Sequence, residues 1–180
     1  MLIKSKQPNL QNRQQSNQTG FTIVELMISL AILSVLLLFA VPAFNDFTAQ
    51  QRMATNVNAL ISAINLARSE AGRRGGRVTV QAVDASDGDN EWGPGFCVAA
   101  DDPGDCAAPL ATFLIEGNVT LDATADFNNE DSISYDSMGL QTTTNTGTFR
   151  LCGQDTDDDP GRVVNLNAVG RPTVRDLDCF

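Results

Sequence analysis

Gly20-Phe21-Thr22-Ile23-Val24-Glu25-Leu26-Met27-Ile28-Ser29-Leu30-Ala31-Ile32-Leu33-Ser34-Val35-Leu36-Leu37-Leu38-Phe39-Ala40-Val41 decides what the rest of the chain can be. From Phe21 to Val41 the only charge is Glu25, and the other polar residues are Thr22, Ser29 and Ser34. As a helix this run is long enough to cross a bilayer, which takes about 20 residues. Residues 1–20 are polar and basic, and end in Gln18-Thr19-Gly20. An ordinary secretory signal has a shorter apolar core with its small-residue cleavage site behind it. Here the plausible cut precedes the apolar run, at Gly20-Phe21, so the hydrophobic segment is kept. The basic stretch ahead of it fits a cytoplasmic N-terminus.

Glu25 is the most informative single residue. A carboxylate in an apolar helix costs about 2.5–3.5 kcal/mol near the bilayer centre, so it asks for a partner. Cleavage after Gly20 creates one, the α-amino group of Phe21, about one helical turn away. Alternatively, Glu25 lies close enough to the headgroups to stay hydrated.

Gly20-Phe21-Thr22-Ile23-Val24-Glu25-Leu26, followed by an apolar run of membrane length, resembles the class III leader of type IV prepilins and type II secretion pseudopilins. The resemblance implies that a prepilin peptidase cuts after Gly20 and N-methylates Phe21. It also implies that Glu25 pairs with the N-terminal amine of a neighbouring subunit during assembly. Pro42 matches a proline often seen in these helices, where it bends or loosens the rod.

Beyond Pro42 the pattern becomes amphipathic. Met53, Val57, Leu60, Ile61, Ile64, Ala67 and Ala71 recur at spacings of three and four and mark one helix face. Gln50, Gln51, Arg52, Asn56, Asn58 and Asn65 fall mostly elsewhere. Gly75-Gly76 ends the helix. If continuous from Phe21 to Arg73, it is about 80 Å long. Residues 77–83 then alternate at period two. Further strands are expected at 95–100, 110–116, 119–121, 132–135, 148–152, 162–167 and 172–174, separated by acidic or glycine-rich turns. Helix followed by strands reads as α+β, an antiparallel sheet packed on a helix.

Ala67-Arg68-Ser69-Glu70-Ala71, then Arg73-Arg74-Gly75 and a strand, resembles the GspH/FimT branch of minor pilins and pseudopilins, and its wording is nearer the FimT/FimU side. Trp92 with Gly93 and Gly95, and Gly161-Arg162-Val163-Val164 leading to Gly170-Arg171, agree with that. The resemblance implies a type IV pilin-like fold whose head has two β-sheets on the C-terminal half of the helix. The expected organisation is a cleaved leader over 1–20, a transmembrane and fibre-core half-helix over 21–47, and a periplasmic head over 48–180.

The chain has 180 residues and a net charge of −10, enough for one globular domain. Lys4, Lys6 and Arg13 precede residue 20, so without the leader −10 becomes −13, with nine arginines and no lysine. Such a body repels phosphate backbones on average, and nucleic-acid binding needs a local basic patch. Histidine is absent, which excludes His-based triads and His-containing zinc sites. No glycine-rich phosphate loop or metal-ligand spacing is present, so no enzyme and no cofactor are expected.

Cys97, Cys106, Cys152 and Cys179 all lie in the part expected to be exported, where an even count suggests two disulfides with three pairings open. The expected pairs are Cys97–Cys106, closing a short Asp/Gly/Pro loop, and Cys152–Cys179, tying the C-terminus to a strand. Chain entropy assigns them about 2.7 and 3.6 kcal/mol. Two acidic runs, Asp84/Asp87/Asp89/Glu91 and Asp155/Asp157/Asp158/Asp159, raise calcium as an idea. Neither has EF-hand spacing, and solvated acidic loops are the plainer reading.

Arg73, Arg74 and Arg77 cluster at the helix–strand junction, while Arg171 and Arg175 lie near the C-terminus. The chain also resembles FimT-like proteins of naturally transformable bacteria, which bind DNA through a C-terminal Gly-Arg-x-Arg motif; that resemblance implies double-stranded DNA as a partner. In Gly170-Arg171-Pro172-Thr173 the second arginine is replaced by threonine, with Arg175 two positions on. Asp176 and Asp178 follow and would partly cancel the field, so the plainer reading is surface charge or internal ion pairing. Trp92 and Tyr135 could stack on bases, although such residues are more often core.

The leading expectation is a structural minor pilin that helps to start pilus assembly. It would sit in the inner membrane as a single-pass protein with its head in the periplasm, then enter the fibre beside other pilin subunits. The alternatives are a GspH-like pseudopilin of a type II secretion system and a DNA-binding minor pilin for DNA uptake.

Overall fold

The computed structural model describes residues 20–83, 92–100, 106–125, 127, 131–143, 145–153 and 160–179. Both acidic runs considered for calcium lie wholly outside the described residues, as does nearly all of the expected leader. The chain divides into two units, Met1–Pro42 and Ala43–Phe180.

A single helix, α1, runs from Ile23 to Arg74, and its helical assignment is unbroken through Pro42. In the first unit the described side chains of the helix are all exposed to solvent. In the second unit the helix buries one face, comprising Met53, Asn56, Val57, Leu60, Ala63, Ile64, Ala67 and Ala71. This is the three-and-four spacing of an amphipathic helix. Three of these positions, 63, 67 and 71, are alanines. Ile61, expected on this face, is only half-buried at its margin. The helix stops where the Gly75 and Gly76 N–H groups both close on the Ala71 carbonyl, at 2.9 and 3.3 Å.

Among the described residues eight strands follow: β1 Val78–Ala82, β2 Gly95–Ala100, β3 Ala111–Leu114, β4 Val119–Ala125, β5 Ser132–Tyr135, β6 Gly147–Gly153, β7 Pro160–Leu166 and β8 Pro172–Asp178. They form two four-stranded antiparallel sheets, ordered β3-β2-β1-β5 and β4-β6-β7-β8. Each expected strand is present. β4 and β8 each run four residues further than their alternation suggested, to Ala125 and Asp178.

Inner-face residues of both sheets and the buried helix face form one cluster, which includes Val80, Phe96, Val98, Leu121, Ile133, Phe149, Leu151 and Val164. Trp92 packs edge-on against Phe149 with ring centroids 4.9 Å apart, and Phe127 stacks on Phe149 at 5.3 Å. β1 is buried on both faces. Thr79 and Gln81 share the second face with Cys97, which is opposite Gln81 in the ladder and bonded to Cys106. Cys152 is bonded to Cys179.

Asn56 corrects the reading of the helix. It is buried, and its side chain copies a strand partner: Nδ2 donates to the Glu116 carbonyl and Oδ1 accepts from the Glu116 N–H, both at 3.0 Å. Glu116 lies in the short crossing from β3 to β4, where the chain passes from one sheet to the other. A carboxamide supplies one donor and one acceptor side by side, so it satisfies both backbone groups at once. Asn56→Ala leaves both unpaired and should lower stability by about 2–4 kcal/mol. Asn56→Asp, which keeps the acceptor but loses the donor, should fall between the two in a denaturant melt; a wild-type melt for Asn56→Ala would show that the clamp is idle.

Candidate functional site

Three regions carry the residues singled out from the sequence: the start of the helix, its end, and the sheet that closes with β8.

At the start, Thr22 is the N-cap. Its Oγ1 accepts from the Glu25 N–H at 3.2 Å, and its carbonyl accepts from Leu26 N–H at 3.1 Å. Thr22-x-x-Glu25 is the sequence signature of a capping box, so Thr22 is a helix-start signal and not only a polar interruption of the apolar run. Glu25 therefore stands in the first turn, where the helix dipole favours a carboxylate. Phe21 is 83% exposed just ahead of it. The helix is long and apolar enough to cross a membrane.

At the end of the helix, Glu70 binds both neighbouring arginines. Arg73 Nε and Nη2 reach its two oxygens at 2.9 and 2.6 Å, and Arg74 Nε reaches Oε2 at 2.8 Å. The Arg73 hydrogen bonds, then that of Arg74, hold the Glu70 carboxyl down at about 2 from its ordinary 4.5. Two of the three junction arginines thus share one acid, which reduces what they offer an anionic ligand.

Arg68, one turn earlier, is turned inward. Its Nε donates to the Gly139 carbonyl at 3.0 Å, and its guanidinium lies 6.0 Å from the ring centroid of Tyr135. Tyr135 is fully buried, and its hydroxyl donates to the Gly170 carbonyl at 3.1 Å. Burial pushes the phenol pKa up, opposed by Arg68. One side chain therefore joins the helix, the first sheet through β5, and the β7–β8 hairpin of the second sheet. Trp92 and Tyr135 are core residues, with no face open for base stacking.

The two loops reached by this chain of contacts have the same construction. In Asp136-Ser137-Met138-Gly139-Leu140 the Asp136 Oδ1 accepts from the N–H groups of residues 138 and 140, and the Asp136 carbonyl accepts from Gly139 N–H. In Asn167-Ala168-Val169-Gly170-Arg171 the Asn167 Oδ1 accepts from residues 169 and 171, and its carbonyl from Gly170 N–H. Gly139 and Gly170 take φ of 73° and 74°, the left-handed conformation that closes a three-residue hairpin loop. Gly170 thus has a structural reason of its own, apart from any binding motif.

On β8, Thr173 and Arg175 share the outer face, and Arg171 stands just before the strand in the hairpin. Both arginines are exposed, and neither guanidinium has an ion-pair partner among the described residues. Asp176, expected to weaken the field of Arg175, is instead paired across the ladder with Arg162 at 2.9 Å. No group of three or more metal-ligating side chains is assembled among the described residues.

The long N-terminal helix and the two antiparallel sheets define a type IV pilin-like protein. The family model described as Type II transport protein GspH matches residues 56–170, and that of the prokaryotic N-terminal methylation motif matches residues 15–41. The chain belongs to the GspH family. Among solved structures it is similar to the type IV minor pilin FimU of Pseudomonas aeruginosa, with a TM-score of 0.59 and 23% identity over 74% of this chain and 99% of that one. A second crystal form of FimU gives a TM-score of 0.55 at 22% identity, over 71% of this chain and 99% of that one. Among curated proteins it is similar to the type IV major fimbrial protein FimA of Dichelobacter nodosus, 48% identical over 44 residues. That match spans 24% of this chain and 28% of the relative.

Two outcomes test this geometry. A Cβ at residue 170 would run into the Tyr135 ring and lie 3.0 Å from its hydroxyl, on a backbone that L-residues avoid. Gly170→Ala should therefore cost about 2 kcal/mol or more, whereas Ala168→Gly on the same loop should cost little. Glu70, with its pKa lowered on folding, adds stability that is complete above about pH 4.5 and is lost as pH falls towards 2. Glu70→Gln should remove that part of the acid sensitivity, measured as melting temperature against pH; an unchanged pH profile would show that the pair contributes nothing.

Proposed function

We propose that the chain is a structural minor pilin, cut between Gly20 and Phe21, methylated on Phe21, and incorporated into a type IV fibre where it helps to start assembly. The observation that carries this reading is the helix surface from Phe21 to Val41. Its apolar side chains are exposed on every side, with one carboxylate, Glu25, held in the capped first turn. In water such a surface is unstable, so it needs lipid and then the helices of neighbouring subunits. The match to the N-terminal methylation motif over residues 15–41 supports the processing step. On this reading the head is delivered to the periplasm, and Glu25 meets the new amine of an adjacent subunit as the helix leaves the bilayer.

The test is Glu25→Ala in the native cell. The variant should be processed and recovered in the membrane fraction, yet be missing or at least tenfold depleted in sheared fibres. Normal incorporation would remove Glu25 from the mechanism.

Two further readings have observations behind them. The family description, Type II transport protein GspH, favours a pseudopilin, for which deletion would abolish a secreted activity and leave pili intact. The exposed Arg171 and Arg175, with Asp176 engaged by Arg162, favour a surface for double-stranded DNA, for which deletion would reduce transformation and leave pili intact.

A further inference from the structure

The ladder of the second sheet places another arginine beside this surface. Arg150 of β6 and Arg175 of β8 are both paired with Val163 of β7, one from each side. They therefore stand in one row on one face, two strand spacings or about 10 Å apart. Arg171 lies four residues from Arg175 along the chain, within about 13 Å. All three are exposed and without an ion-pair partner among the described residues. Asp122 completes the row beyond Arg150 and forms no ion pair with it. Asp176 and Asp178 share the other face of β8 with Val174, one residue out of step with Arg175.

One neighbouring row is Thr124, Thr148, Asn165 and Thr173; the other is Thr120, Cys152, Gly161 and half-buried Leu177, with Cys152 bonded to Cys179. The outer face of this sheet thus offers hydroxyls, an amide and guanidiniums, with Asp122 as the carboxylate at the β4 edge of the arginine row. In the Arg150 row the only apolar member is half-buried Val163. A protein-docking surface of this size would be expected to offer an aromatic or aliphatic anchor at its centre. Phosphate and sugar contacts, by contrast, come from arginine forks and from hydroxyl and amide side chains.

We infer that Arg150 is a third anchoring residue of a phosphate-binding sheet face formed with Arg175 and Arg171, and that this face, not the helix–strand junction, receives a nucleic-acid backbone. The inference rests on the DNA reading above and deepens it. It separates the two arginine groups, because Arg73 and Arg74 share Glu70 while these three carry their charge unshared among the described residues. Contact through backbone phosphates alone makes binding indifferent to sequence and strongly dependent on salt.

The experiment is a fluorescence-anisotropy titration of the full chain in non-ionic detergent against a short random duplex, at several salt concentrations. Arg150→Ala should weaken binding as Arg175→Ala does, each lowering the slope of log affinity against log salt by about 0.9. Arg150→Lys should recover most of the slope, and Arg73→Ala/Arg74→Ala should leave affinity and slope unchanged. Full binding by Arg150→Ala alongside loss in Arg171→Ala/Arg175→Ala overturns the role of Arg150 and leaves the DNA reading standing. No binding of the unsubstituted chain even at low salt overturns both. Binding of polyglutamate in preference to the duplex overturns the nucleic-acid assignment in favour of an acidic protein partner.

Discussion

Burial of one helix face under two sheets is the interaction on which the head depends. Met53, Val57, Leu60, Ile64 and the alanines at 63, 67 and 71 belong to the same cluster as the inner residues of both sheets. Among the described residues the two sheets share no ladder, so the pairing within each sheet does not hold one to the other. What joins them is apolar contact through the common core and a small number of directed polar bonds. Hydrophobic contact is strong but non-directional, and by itself leaves the relative setting of the layers loosely specified.

The directed bonds supply that setting. Asn56 fixes the crossing from β3 to β4, and at the next residue of that crossing a Cβ on Gly117 would lie 2.9 Å from Arg52 Cδ. A little over three turns of helix beyond Asn56, Arg68 and Tyr135 tie the helix to both Asx-closed loops. Each of these polar groups is buried or half-buried and satisfied, which makes its alternative, an unpaired donor or acceptor, costly. A wrong setting of either sheet against the helix therefore leaves several polar groups unpaired, and the native arrangement is selected as much by that penalty as by packing.

Much of this was legible in the residues, because it rests on periodicity. The amphipathic face of the helix, its end at Gly75-Gly76 and all eight strands follow from spacing alone. Asn56 was not legible, since an asparagine among Gln50, Gln51, Asn58 and Asn65 looks like surface, and its partner is 60 residues away. β4 and β8 extend past their apolar pattern, which Asp122 in one and Arg175, Asp176 and Asp178 in the other interrupt. On edge strands with an open outer face, polar residues carry no such penalty. The strand order was also beyond reach, since β1 lies between β2 and β5 through contacts remote in sequence. For the site, Thr22-x-x-Glu25 and the two Asx-x-x-Gly loops were present as local signals, whereas the alignment of Arg150 with Arg175 exists only in the ladder.

The same ladder changes what the acidic composition means. A net charge of −10 argues against an anionic partner only if the charge is evenly spread, and here it is not. Period-two alternation along β8 sends Asp176 to one face, where Arg162 receives it, and Arg175 to the other. Arg68 is turned inward, and Arg73 and Arg74 share Glu70. Four arginines are thus occupied in holding the structure, and those on the outer sheet face are not. A field is felt over about 8–10 Å in physiological salt, so a ligand approaching that face responds to its three arginines and to Asp122 before it responds to acids elsewhere on the head. Net charge therefore governs solubility and long-range repulsion, while the register of four strands governs what can bind at contact.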